Sequence, residues 1–191
     1  MAEFDLAHWF TARYEGGISD HPADRGGYTA FGISTEFMKD FAARAKNQPL
    51  LASLGLSGTV NRHYMKKITA GMAAKIFRAA FWNPYELSAF CQQAATVIYD
   101  TGVNCGGKTS LRLFQQAINA VSGANLAVDG IFGPKSRQAI GAYGRAAAER
   151  ALALRISRYH EICARNPSQK VFLKGWLNRV NDLQAYIAKM P

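Results

Sequence analysis

The stretch EFDLAHWFTARYEGG, residues 3–17, has the pattern of a helix that ends at a carboxylate. Its apolar side chains recur at i, i+1, i+4 and i+8, the spacing of one helix face. They are Leu6, Ala7, Phe10 and Tyr14. Two glycines follow at 16 and 17, and glycine commonly lies just beyond a helix C-terminus. The pattern therefore predicts an amphipathic helix over about residues 3–14, with Glu15 at its end.

Glu15 is in an unfavourable position for an anion. The unpaired carbonyls and the macrodipole at a helix C-terminus disfavour a negative charge by about 0.3–1 kcal/mol. Such a setting, especially with partial burial, raises the pKa of a carboxyl group and favours the protonated form that a general acid needs. Glu15 is therefore a candidate general acid, and the alternative is an exposed glutamate with no chemical role.

The segment from 18 to 33 has the composition of a short β-hairpin or ribbon. Its turn-forming residues are Ser19, Asp20, Pro22, Gly26 and Gly27. A ribbon of this kind can return Asp24 and Thr29 toward Glu15. Two carboxylates and an activated water are the minimum apparatus of glycoside hydrolysis. The alternative is that Asp24 only caps a turn, as aspartate often does.

Several blocks of sequence carry a family resemblance. They are EGG at 15–17 with DRGGYTAFGI at 24–33, AFWNP at 80–84, IYDTGVN at 98–104, LFQQA at 113–117, VDGIFGPK at 128–135 and GWLNRV at 175–180. Together these blocks resemble the N-acetylmuramidases of glycoside hydrolase family 108, phage-type peptidoglycan hydrolases with a C-terminal peptidoglycan-binding region. The resemblance spans nearly the whole chain.

The resemblance implies hydrolysis of the β-1,4 bond between N-acetylmuramic acid and N-acetylglucosamine, with Glu15 as proton donor. The spacing is also similar to the Glu-Asp-Thr arrangement of other phage lysozymes. Eight residues lie between Glu15 and Asp24. Four residues, one fewer than in that related group, lie between Asp24 and Thr29. The implied catalytic set is Glu15, Asp24 and Thr29, with Asp100 as the alternative second carboxylate.

Two stereochemical outcomes stay open for this set. If Asp24, helped by Thr29, activates a water on the opposite face of the sugar, the enzyme inverts the anomeric centre. If the two carboxyl groups lie about 5 Å apart, retention is expected. The alternative functions are a lytic transglycosylase, which uses one acid/base glutamate, and a non-catalytic wall-binding or secretion-assisting protein.

Aromatic, amide and carboxylate side chains supply candidate sugar-binding residues. An amide can pair with hydroxyl or acetamido groups, and an aromatic ring can cover an apolar sugar face. The candidates are Tyr28, Trp82, Tyr99, Asp100 and Asn104. For each of them the alternative is an ordinary packing residue.

The remainder of the chain predicts helices, so the fold class is mainly α: a lysozyme-like helical fold with one small β-hairpin or ribbon near the N-terminal active site. Apolar stripes at helical spacing lie within residues 90–98, 114–121, 145–163 and 176–187. Thr69 is a candidate N-cap for a helix to about Phe81. Pro134 is placed to begin another helix.

Two regions follow from these patterns and from the resemblance. Residues 1–95 are expected to form the muramidase catalytic region, and residues 96–191 a helical, peptidoglycan-binding-like region. Because no polar linker separates the two, we expect them to pack closely. Asp129 is expected to cap a turn.

The formal net charge of +10 on 191 residues favours a polyanionic partner. The basic residues are scattered, with the longest cluster at 62–67, and no nucleic-acid motif is present. We therefore expect bacterial peptidoglycan as the partner and no nucleic acid. We also expect a monomer.

The cysteines and histidines are too dispersed to predict a disulfide framework or a metal site. They are Cys91, Cys105 and Cys163, and His8, His21, His63 and His160. We expect no metal and no cofactor. The first ten residues lack a basic start followed by an apolar run, and no apolar run reaches the length of a membrane span. We expect cytoplasmic synthesis without a signal peptide, no stable membrane insertion, and action on the cell wall after release or holin-type export.

Overall fold

A computed structural model describes residues 1–19 and 28–190 of the chain. Thr11–Pro84 form one compact unit, and Met1–Phe10 together with Tyr85–Pro191 form the other. The first helix, α1 (Phe4–Glu15), contributes residues to both units. The predicted catalytic residue Asp24 lies outside the described residues.

The unit Thr11–Pro84 combines a small antiparallel sheet with short helices. Its further elements are β1 (Ile18–Ser19), β2 (Thr29–Ala30), β3 (Ile33–Ser34), α2 (Thr35–Ala42), α3 (Gln48–Ser53), α4 (Arg62–Met65) and α5 (Ala70–Phe77). The described strands lie in the order β1-β2-β3. Ala30 pairs with Ile18 on one side and with Ile33 on the other. The predicted small ribbon is therefore present, with a third strand added to it.

A two-residue turn joins β2 to β3. Its residues Phe31 and Gly32 have φ angles of 50° and 82°. Positive φ at both positions matches the twist of the two flanking strands. The strand residues on either side of the turn, Ala30 and Ile33, are buried. The geometry of the turn and the burial of the residues beside it thus both favour the pairing of β2 with β3.

Helix α5 begins at the predicted position but ends at Phe77, four residues before the predicted end near Phe81. The Thr69 hydroxyl accepts a hydrogen bond from the backbone nitrogen of Met72 at 3.3 Å, which confirms the predicted N-cap. After Phe77 the chain continues as a π-helix, Arg78–Trp82. Stacked and tilted aromatic rings pack α2 against this segment. The rings belong to Phe37, Phe77 and Phe81.

The second unit is built on long helices: α6 (Gln92–Cys105), α7 (Gly107–Ser122), α8 (Pro134–Arg165) and α9 (Lys170–Ile187). The helix predicted to begin at Pro134 and the stripe over 145–163 are parts of the single helix α8. Most predicted stripe residues are core residues, but Leu6 is 45% exposed and Val121 is 41% exposed. Leu6 lies on the solvent-facing edge of the α1 stripe, and Val121 lies in the last turn of α7. Among the described residues, no helix has both the length and the apolar character to cross a bilayer.

A buried carboxylate holds three helices of this unit together. Asp100 on α6 is fully buried. It accepts a hydrogen bond from Arg155 Nη1 on α8 at 2.7 Å and another from Arg179 Nη2 on α9 at 2.7 Å. Arg155 also donates to Thr101 Oγ1 and Tyr159 Oη. Burial alone would raise the pKa of Asp100, but the two guanidinium charges outweigh burial and hold that pKa below its ordinary value.

Replacing Asp100 by asparagine is expected to destabilise the protein by about 3–5 kcal/mol, because two buried guanidinium groups lose their counter-charge. Since its folded-state pKa is lowered, the carboxylate's contribution to stability is present above the unfolded-state pKa and is lost as the pH falls through the folded-state pKa. Urea denaturation between pH 7 and pH 3 measures both effects. Asp40→Asn, the same change at an exposed site, is the matched control. Equal effects of the two substitutions would contradict this account.

Candidate active site

Glu15 is the last residue of α1, as the sequence predicts. Gly16, with φ of 70°, takes the left-handed conformation directly after it, and glycine adopts that conformation without steric cost. The Glu15 side chain is half-buried, and its Oε1 atom is shielded from solvent. The helix therefore delivers a carboxyl group into a partly dry environment at its own C-terminal end.

The turn between β2 and β3 lies directly against this carboxyl group. A Cβ atom placed on Gly32 would be 2.6 Å from Glu15 Cβ and 2.8 Å from Glu15 Oε2. No real Cβ tolerates contacts this short, so only glycine permits the turn to approach so closely. The Gly32 backbone thus forms one wall of the Glu15 site and limits the positions open to its side chain.

The sheet also places Thr29 beside the segment that follows Glu15. Thr29 pairs with Ser19 in β1 and with Ser34 in β3. The Phe31 backbone nitrogen donates to the Gly17 carbonyl at 2.9 Å, which ties the turn to the glycines after α1. Thr29 is half-buried. The ribbon therefore brings β2 alongside the segment that follows Glu15, as its composition predicts, and the catalytic roles of Thr29 and Asp24 stay predictions.

Two predicted sugar-binding residues in this unit have little exposed surface. The side chain of Trp82 is 1% exposed, and that of Tyr28 is 9% exposed. The Tyr28 carbonyl accepts hydrogen bonds from the backbone nitrogen and the hydroxyl of Thr35, at the start of α2. This burial favours a packing role for both rings, and their role in sugar binding stays a prediction.

The other three candidates lie on α6, in the second unit. The Tyr99 hydroxyl is hydrogen-bonded to His8 Nδ1 at 2.8 Å, and burial lowers the pKa of His8. Asn104 Oδ1 accepts from the Tyr159 hydroxyl at 2.5 Å. Both oxygens of Asp100 accept hydrogen bonds from arginines. These contacts favour a role in the fold for all three, and catalysis by Asp100 would require breaking a buried ion pair.

Sequence reasoning missed two features that shape these surroundings. The first is the role of Gly32. Its local signal in the sequence is the Phe31-Gly32 pair, which lies between two short strands. The second is the use of Arg155 and Arg179 as partners of Asp100, which lie 55 and 79 residues away along the chain. No local pattern indicates such a pairing. Among the described residues, no cluster of three or more His, Cys, Asp or Glu is suited to hold a metal ion.

Asp129 has the turn-capping role that the sequence predicts. Its Oδ1 accepts from the backbone nitrogen of Ile131 at 2.8 Å and from Gln115 Nε2 at 3.0 Å. The hydrogen bond from Ile131 is the largest of the contributions that lower the pKa of Asp129. The DG motif therefore orders the loop before α8.

Two protein-family models match successive segments of the chain. The family model described as Glycosyl hydrolase 108 matches residues 8–106, more than half of the sequence. The model described as Predicted Peptidoglycan domain matches residues 109–181. No curated protein sequence matches the chain.

A solved structure, that of Brucella abortus SagA, is similar to this chain over almost its full length. The similarity covers 98% of this chain and 94% of that one, with a TM-score of 0.69 and 23% sequence identity. At this level of identity the similarity shows a shared fold. The two matched family segments meet between residues 106 and 109, whereas the expected boundary between residues 95 and 96 stays a prediction.

Substituting Gly32 by alanine is expected to destabilise the protein by about 1–3 kcal/mol, because alanine is strained at φ of 82° and its Cβ collides with Glu15. Gly55→Ala is the matched control in the same unit, since Gly55 has φ of 69° and open space where its Cβ would lie. Free energies of unfolding in urea separate two costs. Both variants share the cost of a strained φ angle, and only Gly32→Ala adds the collision with Glu15. If Gly32→Ala loses no more stability than Gly55→Ala, the close contact with Glu15 is refuted.

Proposed function

The chain belongs to the glycosyl hydrolase 108 family, and we propose that Glu15 is the general acid of its reaction. The protein is a peptidoglycan hydrolase of the N-acetylmuramidase class. The second matched segment, described as a peptidoglycan domain, indicates peptidoglycan as the partner. The bond cleaved is the β-1,4 link between N-acetylmuramic acid and N-acetylglucosamine.

The observation that carries the assignment of Glu15 is the packing of the Gly32 backbone against its carboxyl group. A general acid must hold its proton within hydrogen-bond reach of the leaving oxygen. Fixing the side chain between a helix end and a turn lowers the entropic cost of that alignment. The helix C-terminus also disfavours a negative charge at this position. Position and environment therefore support proton donation by Glu15.

The second half of the reaction is assigned to Asp24 and Thr29. In this proposal Asp24 removes a proton from water as the water attacks the anomeric carbon, and the Thr29 hydroxyl helps to orient that water. The carboxyl groups of inverting enzymes lie about 6.5–9.5 Å apart, which leaves room for the water, whereas about 5–5.5 Å is typical of retaining enzymes. We favour inversion for this pair.

The charge of the protein suits a wall-bound substrate. A formal charge of +10 attracts the protein to the anionic polymers of a cell envelope and raises its concentration near the substrate. We propose that it works as a monomer. We further propose that it reaches the wall after release from the cell or by holin-type export.

Glu15→Gln is expected to lower the rate of peptidoglycan cleavage by about 10²–10⁴-fold, because the amide cannot donate the proton that the carboxylic acid supplies. Release of new sugar ends from purified peptidoglycan measures the rate. Glu36→Gln, the same change at an exposed site of the same unit, is expected to keep full activity. Full activity in the Glu15→Gln protein would overturn the assignment.

Asp24→Asn is expected to lower the same rate by about 100-fold or more, because water loses its general base. Mass spectrometry of the wild-type products is expected to show reducing N-acetylmuramic acid ends. Anhydro-muramic ends would instead identify a lytic transglycosylase, which needs no attacking water. Unchanged activity in Asp24→Asn would remove Asp24 from the catalytic set.

A further inference from the structure

A polar groove runs between α7 and α8, within the segment that matches the peptidoglycan domain. Its cavity has a volume of about 510 Å³. The residues facing it recur at i, i+3, i+4 and i+7 on both helices, as expected for facing stripes of two helices. The polar ones are Thr109, Arg112 and Gln116 on α7, and Ser157, Arg158 and Glu161 on α8.

Two of the three charged side chains of this groove have no ion-pair partner among the described residues, and the third, Arg112, lies near the Asp129 carboxylate. Among the described residues, neither Arg158 nor Glu161 forms an ion pair. Arg158 Nε is shielded from solvent and has no hydrogen-bond partner within the described part of the chain. A buried donor without an acceptor is costly. An anionic ligand in the groove would supply the counter-charge that the Arg158 guanidinium lacks among the described residues.

The stem of Arg112 lies against the loop beside the groove. Its side chain packs over the backbone of Gly130, where an added Cβ would lie 3.2 Å from Arg112 Cγ. Gly130 belongs to the VDGIFGPK block, and Asp129 and Gln115 hold the loop around it. The ordered loop thus supports the stem of one arginine, and α8 supplies the other.

We propose that this groove binds the stem peptide of peptidoglycan, with its carboxylates on Arg112 and Arg158 and an amino group on Glu161. The inference rests on the proposed function, which supplies peptidoglycan as the ligand. The three side chains sum to a charge of +1, which suits a peptide whose carboxylates outnumber its amino groups. Arginine is well matched to carboxylates because its planar guanidinium group can donate two parallel hydrogen bonds.

Isothermal titration of the full chain with N-acetyl-L-alanyl-γ-D-glutamyl-meso-diaminopimelate tests this site. Wild-type protein is expected to bind the tripeptide, with weaker binding at higher salt. Arg158→Gln and Arg112→Gln are each expected to weaken binding about tenfold, because each removes a charge-assisted hydrogen bond. Arg150→Gln, at an exposed site on the same helix, is expected to leave binding unchanged. Amidation of the tripeptide carboxylates is expected to weaken binding to the wild type as well.

Arg112 is exposed, so its replacement keeps the fold intact and tests the site even if Arg158→Gln unfolds. Absence of tripeptide binding by the wild type, or an equal loss in Arg150→Gln, would overturn the proposal. The tripeptide contains no glycosidic bond, so its binding does not depend on Glu15. If the Glu15→Gln protein stays active, the catalytic assignment is wrong but the groove proposal is unaffected. If the wild type does not bind the tripeptide, the groove proposal is wrong but the catalytic assignment is unaffected.

Discussion

The carboxylate of Asp100 accepts hydrogen bonds from Arg155 and Arg179, and in this way it joins α6 to α8 and α9. Removing three charges from water is costly, and direct pairing with additional hydrogen bonds offsets that cost. Thr101 and Tyr159 supply such bonds to Arg155. The Arg155 guanidinium also lies 5.6 Å from the centre of the Tyr159 ring. The core of this unit is therefore specified by polar geometry as well as by apolar packing.

This ion cluster also explains why the C-terminal helices do not form a detached module. Helix α6 lies within the glycosyl hydrolase match, whereas most of α7, all of α8 and most of α9 lie within the peptidoglycan-domain match. All four helices nevertheless belong to one compact unit. Because Asp100 comes from the first segment and its arginines come from the second, the two family segments share a core. A groove on α7 and α8 is thus built on helices that the hydrolase segment helps to position.

The surroundings of Glu15 show a different constraint, which is steric. The β2–β3 turn can lie against the carboxyl group only because Gly32 has no side chain. Phe31, beside it, holds a positive φ that a bulky residue rarely adopts, and such strain persists only where surrounding structure enforces it. The hydrogen bond from Phe31 to Gly17 connects that strained turn to the end of α1. The Gly32 backbone, held through this hydrogen bond, therefore limits the positions open to the Glu15 side chain.

Features that depend on near neighbours along the chain can be predicted from the sequence. The period of apolar residues and the glycines placed the end of α1 at Glu15, Thr69 marked the start of α5, and the blocks from EGG to GWLNRV indicated the family. The role of Asp100, the closeness of Gly32 to Glu15 and the burial of Trp82 depend on tertiary packing. Caps and periodicity act over a few residues, so one sequence displays them. Contacts between residues 17 to 79 positions apart depend on how helices and strands pack. Such packing produces no local sequence pattern from which the contact could be predicted.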